Sequence, residues 1–217
     1  MTDLLPPQSG LSARRAQTRQ RLMTAAVGVF AERGIIGASV EEICERAGFT
    51  RGAFYSNFSD KDELVLALLR HEIDLQYAAA EHAVEVMRAA AGEGHPAEQL
   101  VSLALAAFEE QGRSGRDWVL TQQELLLYAA RVPRVREQYQ VFAAESERHF
   151  STLIGDAIAH AGLEFTVSFP DAVALLAGAH SQVHTSALLT GVPADSSLLR
   201  VLLLSLTRPV ADASPAP

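Results

Sequence analysis

The 217-residue chain holds a single cysteine, Cys44, so it cannot close an intramolecular disulfide. That excludes a disulfide-stapled scaffold and suits a reducing cytoplasm. It has one lysine, Lys61, against seventeen arginines, and one tryptophan, Trp118. No apolar run is long enough to cross a bilayer; Val201–Leu204 is one example. The N-terminus has no apolar signal core followed by a cleavage site. A cytoplasmic protein with no membrane partner is therefore expected. Period-two alternation is also nearly absent, while helical spacing recurs throughout, which argues against a sheet. The expected fold class is all-α.

What is present is a substantial apolar fraction, 48%, enough for a sizeable core. The net charge of −8 is unfavourable for meeting nucleic acid, but it is unevenly spread. Residues 1–61 carry eight basic and six acidic groups, and the rest of the chain ten basic and twenty acidic. Positive charge is thus gathered at one end, and the acidic remainder would favour a single docking face on DNA.

The spacing predicts about nine helices. Residues 1–12 read as a disordered leader, followed by a helix over Ala13–Arg33 with Leu22, Ala26, Val29 and Phe30 on one face, ended by Gly34. Ser39 and Glu42 form a capping box for a short helix, Val40–Ala47. Gly48 turns the chain, and Thr50 caps a helix over Arg51–Asn57. Longer helices follow over Lys61–Ala91, Ala97–Gln111, Gly115–Val132, Pro133–Ala161, Pro170–Thr190 and Asp195–Thr207. Phe165–Phe169 is the only segment that suggests a strand, and it is too short to anchor a sheet. The expected domains are 13–60 and 61–208, with a disordered tail over 209–217.

Ser39–Phe58, SVEEICERAGFTRGAFYSNF, carries the functional signal. Two short helices joined by a glycine turn, behind a supporting helix, make a helix-turn-helix pattern. Ile43, Ala47, Phe54 and Phe58 would form the small core that fixes the angle between them. Thr50 and Arg51 open the second helix, where free amides favour phosphate, and Gly52 and Ala53 keep its surface low enough for a major groove. Arg14, Arg15 and Arg19 could form a basic arm or an ordinary solvated face.

From Thr18 to Leu64, through FAERG and AGFTRGAFYSNFSDKDEL, the chain closely resembles the tetracycline-repressor (TetR) family. The resemblance implies an N-terminal DNA-binding domain followed by a helical ligand-binding and dimerisation domain. It places Ser39, Thr50, Arg51, Gly52, Ala53, Tyr55, Ser56, Asn57 and Lys61 at the DNA, with Tyr55 and Lys61 on phosphates and the Arg51–Asn57 helix reading bases. It also places the dimer interface on the last two long helices. There, Ala174, Gly178, Ser181, Thr185 and Leu188 form a small-residue stripe, and Leu199, Leu202 and Leu203 belong to a helix that is apolar nearly all round.

The candidate ligand contacts are Trp118, Gln122, Phe150, His180 and His184, each an aromatic or polar group within an apolar helix. His180 and His184 have the four-residue spacing of a metal pair, but no further ligand adjoins them in sequence, so no metal or other cofactor is expected. The expected function is a DNA-binding repressor, partnered by double-stranded operator DNA, a second copy of itself and an apolar or aromatic small molecule that releases it. A constitutive or activating helix-turn-helix protein is the alternative. An all-α enzyme has no nucleophile–base motif, phosphate loop or metal signature behind it.

Overall fold

The computed structural model describes residues 9–111 and 115–210. Among them are nine helices: α1 (Ser9–Gly37), α2 (Val40–Ala47), α3 (Arg51–Tyr55), α4 (Lys61–Gly92), α5 (Ala97–Gln111), α6 (Arg116–Arg131), α7 (Pro133–His160), α8 (Phe169–Thr190) and α9 (Ser197–Ser205). Two three-residue strands, β1 (Leu163–Phe165) and β2 (Thr207–Pro209), pair antiparallel. The fold is all-α, but the expectation of no strand is corrected. Glu164 opposite Arg208 adds a 2.7 Å ion pair to the ribbon, and the Leu206 carbonyl accepts the Thr166 N–H. This pairing also ends α9 at Ser205, two residues earlier than the spacing suggested.

Most helix boundaries lie within a residue or two of those read from spacing. The largest differences are at the ends. Helix α1 begins at Ser9, so only residues 1–8 of the expected leader lie outside the described residues. At the other end Pro209 belongs to β2, and residues 211–217 lie outside them. Within α1, Gly34 has non-helical dihedrals (φ 69°, ψ 160°) that a larger residue resists, and it breaks the helix where its sequence position indicates. One further turn follows before Ser39 caps α2.

The chain divides into two units. The first comprises the described residues up to His71 together with Gly115–Tyr139; the second comprises residues 72–111 and the described residues from Gln140 onward. The first unit thus combines α1–α3 and the start of α4 with α6 and the start of α7. Its largest fully buried side chains include Leu22, Phe30, Ile35, Ile43, Phe54, Phe58, Leu64 and Leu125. Burying a side chain of this size contributes about 1.5–3 kcal/mol each.

Helix α6 docks on α1 through polar bonds as well as apolar ones. Thr121, fully buried, donates to the Val27 carbonyl at 2.9 Å. Glu124 accepts the Ile35 N–H at 3.1 Å, the amide that the Gly34 break deprives of its helical acceptor. The Tyr128 hydroxyl donates to Asp62 at 2.7 Å, and Arg134 pairs with Asp60 at 2.8 Å. Burial, aided by the Asp62 bond, pushes the Tyr128 phenol up to about 12.

In the second unit, Val84, Met87 and Ala90 of α4 pack with Leu100 of α5 and Ala157 of α7. Val101, Ile158 and Leu163 form a neighbouring cluster, covered in part by Leu203 and Leu204 of α9.

Candidate nucleic-acid interface

Helices α2 and α3 are short, so caps and a buried apolar edge hold them rather than propensity. Ser39 and Glu42 form the full capping box: the Glu42 N–H reaches the Ser39 hydroxyl at 3.2 Å, and Glu42 accepts the Ser39 N–H at 2.9 Å. Those bonds from Ser39 hold the Glu42 carboxyl below the usual carboxylate range. Gly48 ends α2 in the left-handed region (φ 69°). Thr50 caps α3 by accepting the Ala53 N–H at 3.2 Å. Ile43, Cys44, Ala47, Phe54 and Phe58 are buried beneath, and that burial raises the Cys44 thiol.

With Phe54 turned inward, α3 presents Thr50, Arg51, Gly52, Tyr55 and Ser56 outward, all exposed. Tyr55 is 49% exposed, as its outward sequence position implied, and stands edge-on to Phe54 at 5.3 Å. The Ser56 hydroxyl donates to the Gly52 carbonyl at 2.8 Å and caps the helix end. Arg51 does not project alone, for Glu41 on α2 holds its guanidinium at 2.8 Å. The Tyr55 hydroxyl, and then Glu41, raise the Arg51 pKa further, so this cation stays charged. Sequence spacing gave no sign of Glu41 in this role.

Two expected contacts are placed elsewhere. Asn57 is only 8% exposed, because α3 ends at Tyr55 and the chain turns inward. Its amide donates to the Ala53 carbonyl at 2.8 Å, so it holds the helix end and does not face outward to read a base. Lys61 opens α4, and its ammonium donates to the carbonyls of Ile35 (2.7 Å), Ala38 (2.8 Å) and Ile36 (3.5 Å). A cation at a helix start needs something negative nearby, and here that is the carbonyl end of α1. Burial lowers the Lys61 pKa.

Arg19 is likewise no free arm. It donates to the Asn57 carbonyl, stacks over Phe58 at 4.2 Å and lies 3.7 Å from Glu63. Arg14 and Arg15 are exposed. Sequence reasoning missed Arg21, which donates to the Ala47 carbonyl at 2.8 Å and lies over Phe49, pinning the turn around Gly48.

The candidate ligand residues are divided between the two units. Trp118 (5% exposed) and Gln122 belong to the first unit, whereas Phe150, His180 and His184 belong to the second. Phe150 packs against Tyr77 at 4.9 Å. Among the candidate dimer residues, Ala174 and Gly178 are exposed, while Ser181, Thr185, Leu188 and Leu202 are half-buried. Leu199 is 4% exposed and Leu203 packs on the Val101 cluster, so these two serve the chain's own core. The exposed apolar residues of α9 are instead Leu198 and Val201. Among the described residues no three His, Cys, Asp or Glu gather as a metal site, and no helix is long and apolar enough to cross a membrane.

A capped pair of short helices on a buried aromatic core, with an exposed Thr–Arg–Gly–Tyr face, defines a helix-turn-helix DNA-binding protein. The family described as bacterial regulatory proteins, tetR family, matches residues 22–68. The repressor AcnR of Corynebacterium diphtheriae is 42% identical over 72 residues, 32% of this chain and 38% of that protein. The activator FasR of Mycolicibacterium smegmatis is 42% identical over 60 residues, 28% of this chain and 27% of that protein. FadR from Bacillus subtilis, solved in complex with stearoyl-CoA, has 17% identity and a TM-score of 0.62, covering 86% of this chain and 96% of that one. The match to the first curated relatives spans about a third to a half of their length. Residues 22–68 thus carry the N-terminal domain of the bacterial tetR-family regulators, a DNA-binding helix-turn-helix.

Proposed function

We propose that the protein is a homodimeric transcriptional repressor that grips a roughly palindromic operator and releases it when an apolar or aromatic small molecule binds. The observation that carries the DNA-binding part is the outward set Thr50, Arg51, Gly52, Tyr55 and Ser56 on a helix whose other side is locked by Phe54. Arg51 reads a base edge, Tyr55 holds a phosphate, and Ser39 and Ala53 lie at the margin of the contact. The exposed Arg14 and Arg15 add phosphate contacts.

A second copy covers the apolar face of α8 and α9, where Leu175, Leu189, Leu198 and Val201 are about half or more exposed. A two-fold dimer matches a palindromic site. The ligand reading rests on the fold shared with FadR bound to stearoyl-CoA, and it retains Phe150, His180 and His184 as contacts. Trp118 and Gln122, in the unit that holds the DNA-binding helices, remain candidate contacts as well. The protein works in the cytoplasm, at the nucleoid when bound to DNA.

Activation in place of repression is a specific second reading, because a repressor and an activator match this chain at equal identity. Selection of bound duplexes from a random pool tests the first step, and an inverted repeat is expected. A reporter under that sequence then distinguishes repression from activation, and ligands are screened for loss of operator binding. Recovery of no preferred duplex would overturn the operator reading.

A further inference from the structure

Two histidines on α8 are used neither by the DNA-binding helices nor by the exposed apolar face. On a helix with 100° per residue, Leu175, Gly178, Gln182 and Leu189 fall within about 60° of one another, all exposed. His180 and His184 lie on roughly the opposite side, half-buried, with the Phe108 ring of α5 edge-on to His180 at 6.2 Å. Their rings are 4.4 Å apart, and the two Nε2 atoms approach to 3.1 Å.

We propose that His180 and His184 form a two-imidazole chelate for a divalent transition-metal ion. Spacing alone argued against a metal, because it showed no further ligand; the structure adds the close approach of the two Nε2 atoms. Two nitrogens each about 2.0–2.1 Å from a common ion lie about 2.9 Å apart at a right angle and about 3.4 Å apart at a tetrahedral angle. The observed 3.1 Å lies between those values. A linear two-coordinate ion would need about 4 Å, so the geometry favours a square-planar, tetrahedral or octahedral ion with two adjacent positions taken by the protein. No third protein ligand gathers there among the described residues, so water completes the shell.

Without metal, one ring donates its Nε2 proton to the other ring's Nε2 across the same gap. On metal binding, that proton reappears on the Nδ1 of its own ring, both Nε2 lone pairs face the ion, and no net proton leaves the neutral pair. Among divalent ions, Cu2+ binds imidazole sites most tightly. The ion would take the two imidazoles that the ligand reading assigns to a small molecule, but its binding needs neither operator nor a second copy, so its test stands apart from the operator test.

The test uses the full chain and Cu2+ in a non-chelating buffer, followed by electron paramagnetic resonance, beside His184→Ala, His184→Gln and the exposed control His160→Ala. The wild type and the control should bind one more equivalent than either His184 variant, with hyperfine structure from two nitrogens. That site should weaken at least about tenfold in His184→Ala. Zn2+ should shift the Nε2 resonances of both rings in 15N spectra and raise the melting temperature. The nitrogen spectra of the wild type decide the matter even if a variant fails to fold. Equal copper stoichiometry in wild type and His184→Ala, or unmoved resonances up to millimolar Zn2+, would reduce the pair to a proton-sharing hydrogen bond and overturn the proposal.

Discussion

Glu124 on α6 accepts the backbone N–H of Ile35 at 3.1 Å, one residue past the Gly34 break in α1. The break frees an amide that cannot find a helical acceptor, and a side chain 89 residues away in sequence supplies one. A Cβ on Gly34 would lie 3.0 Å from the same carboxylate, so the positive φ and the close approach both select glycine there. Glu124→Ala should cost about 1–3 kcal/mol in urea unfolding, because it leaves a part-buried donor unpaired. Glu124→Gln keeps an acceptor and should recover most of that loss. Equal stability of Glu124→Ala and the wild type would remove this bond from the docking of α6 on α1.

Lys61→Ala should also destabilise the fold, by about 1–3 kcal/mol, since three carbonyls at the end of α1 lose their donor. Residual binding to non-specific DNA should keep its salt slope, because the ammonium is already engaged by backbone carbonyls. A slope shallower by about one unit would return Lys61 to the phosphates.

Arg134 bonds Asp60 and holds its carboxyl below the ordinary aspartate value, with the Glu63 and Asp62 backbone amides assisting. A depressed folded pKa contributes stability that is present above the unfolded pKa and lost as pH falls through the folded one. Arg134→Ala should therefore be less stable than wild type at neutral pH, with the gap narrowing below about pH 4. Both partners are largely solvent-exposed, so a small difference is expected. A gap that stays constant from pH 7 to pH 2 would dissociate it from Asp60 ionisation.

Arg51→Ala should lose about 1–3 kcal/mol of discrimination between operator and scrambled duplex. Because Glu41 holds the guanidinium at 2.8 Å, Glu41→Gln should change base preference at the position Arg51 reads while sparing stability. If both variants lose cognate and scrambled binding equally, Arg51 is a phosphate contact and Glu41 only its surface partner.

Gly178 is exposed, and a Cβ built on it meets nothing within 4 Å, so Gly178→Arg should fold. It should nevertheless shift the protein from dimer to monomer in light scattering, by placing a long cation in the subunit contact. Leu199→Ala, at a buried position, should instead cost about 2–5 kcal/mol of stability. A dimer that survives Gly178→Arg would move the interface off this face of α8.

Much of this protein was legible in its sequence, for local reasons. Capping residues such as Ser39 and Thr50, the Gly34 and Gly48 stops, and the inward Phe54 and Phe58 act within a few residues of themselves, so helix order and the outward face of α3 followed from spacing. The polar stripe of Thr121, Glu124 and Tyr128 on α6 was not read from the sequence, because its partners Val27, Ile35 and Asp62 are remote in the chain. Tertiary structure alone decided that Asn57 and Lys61 turn inward, that Leu199 and Leu203 serve the chain's own core, and that Glu41 holds Arg51. Each depends on which acceptor or apolar surface another element brings near, and helical periodicity records only that a residue has a face, not what that face meets.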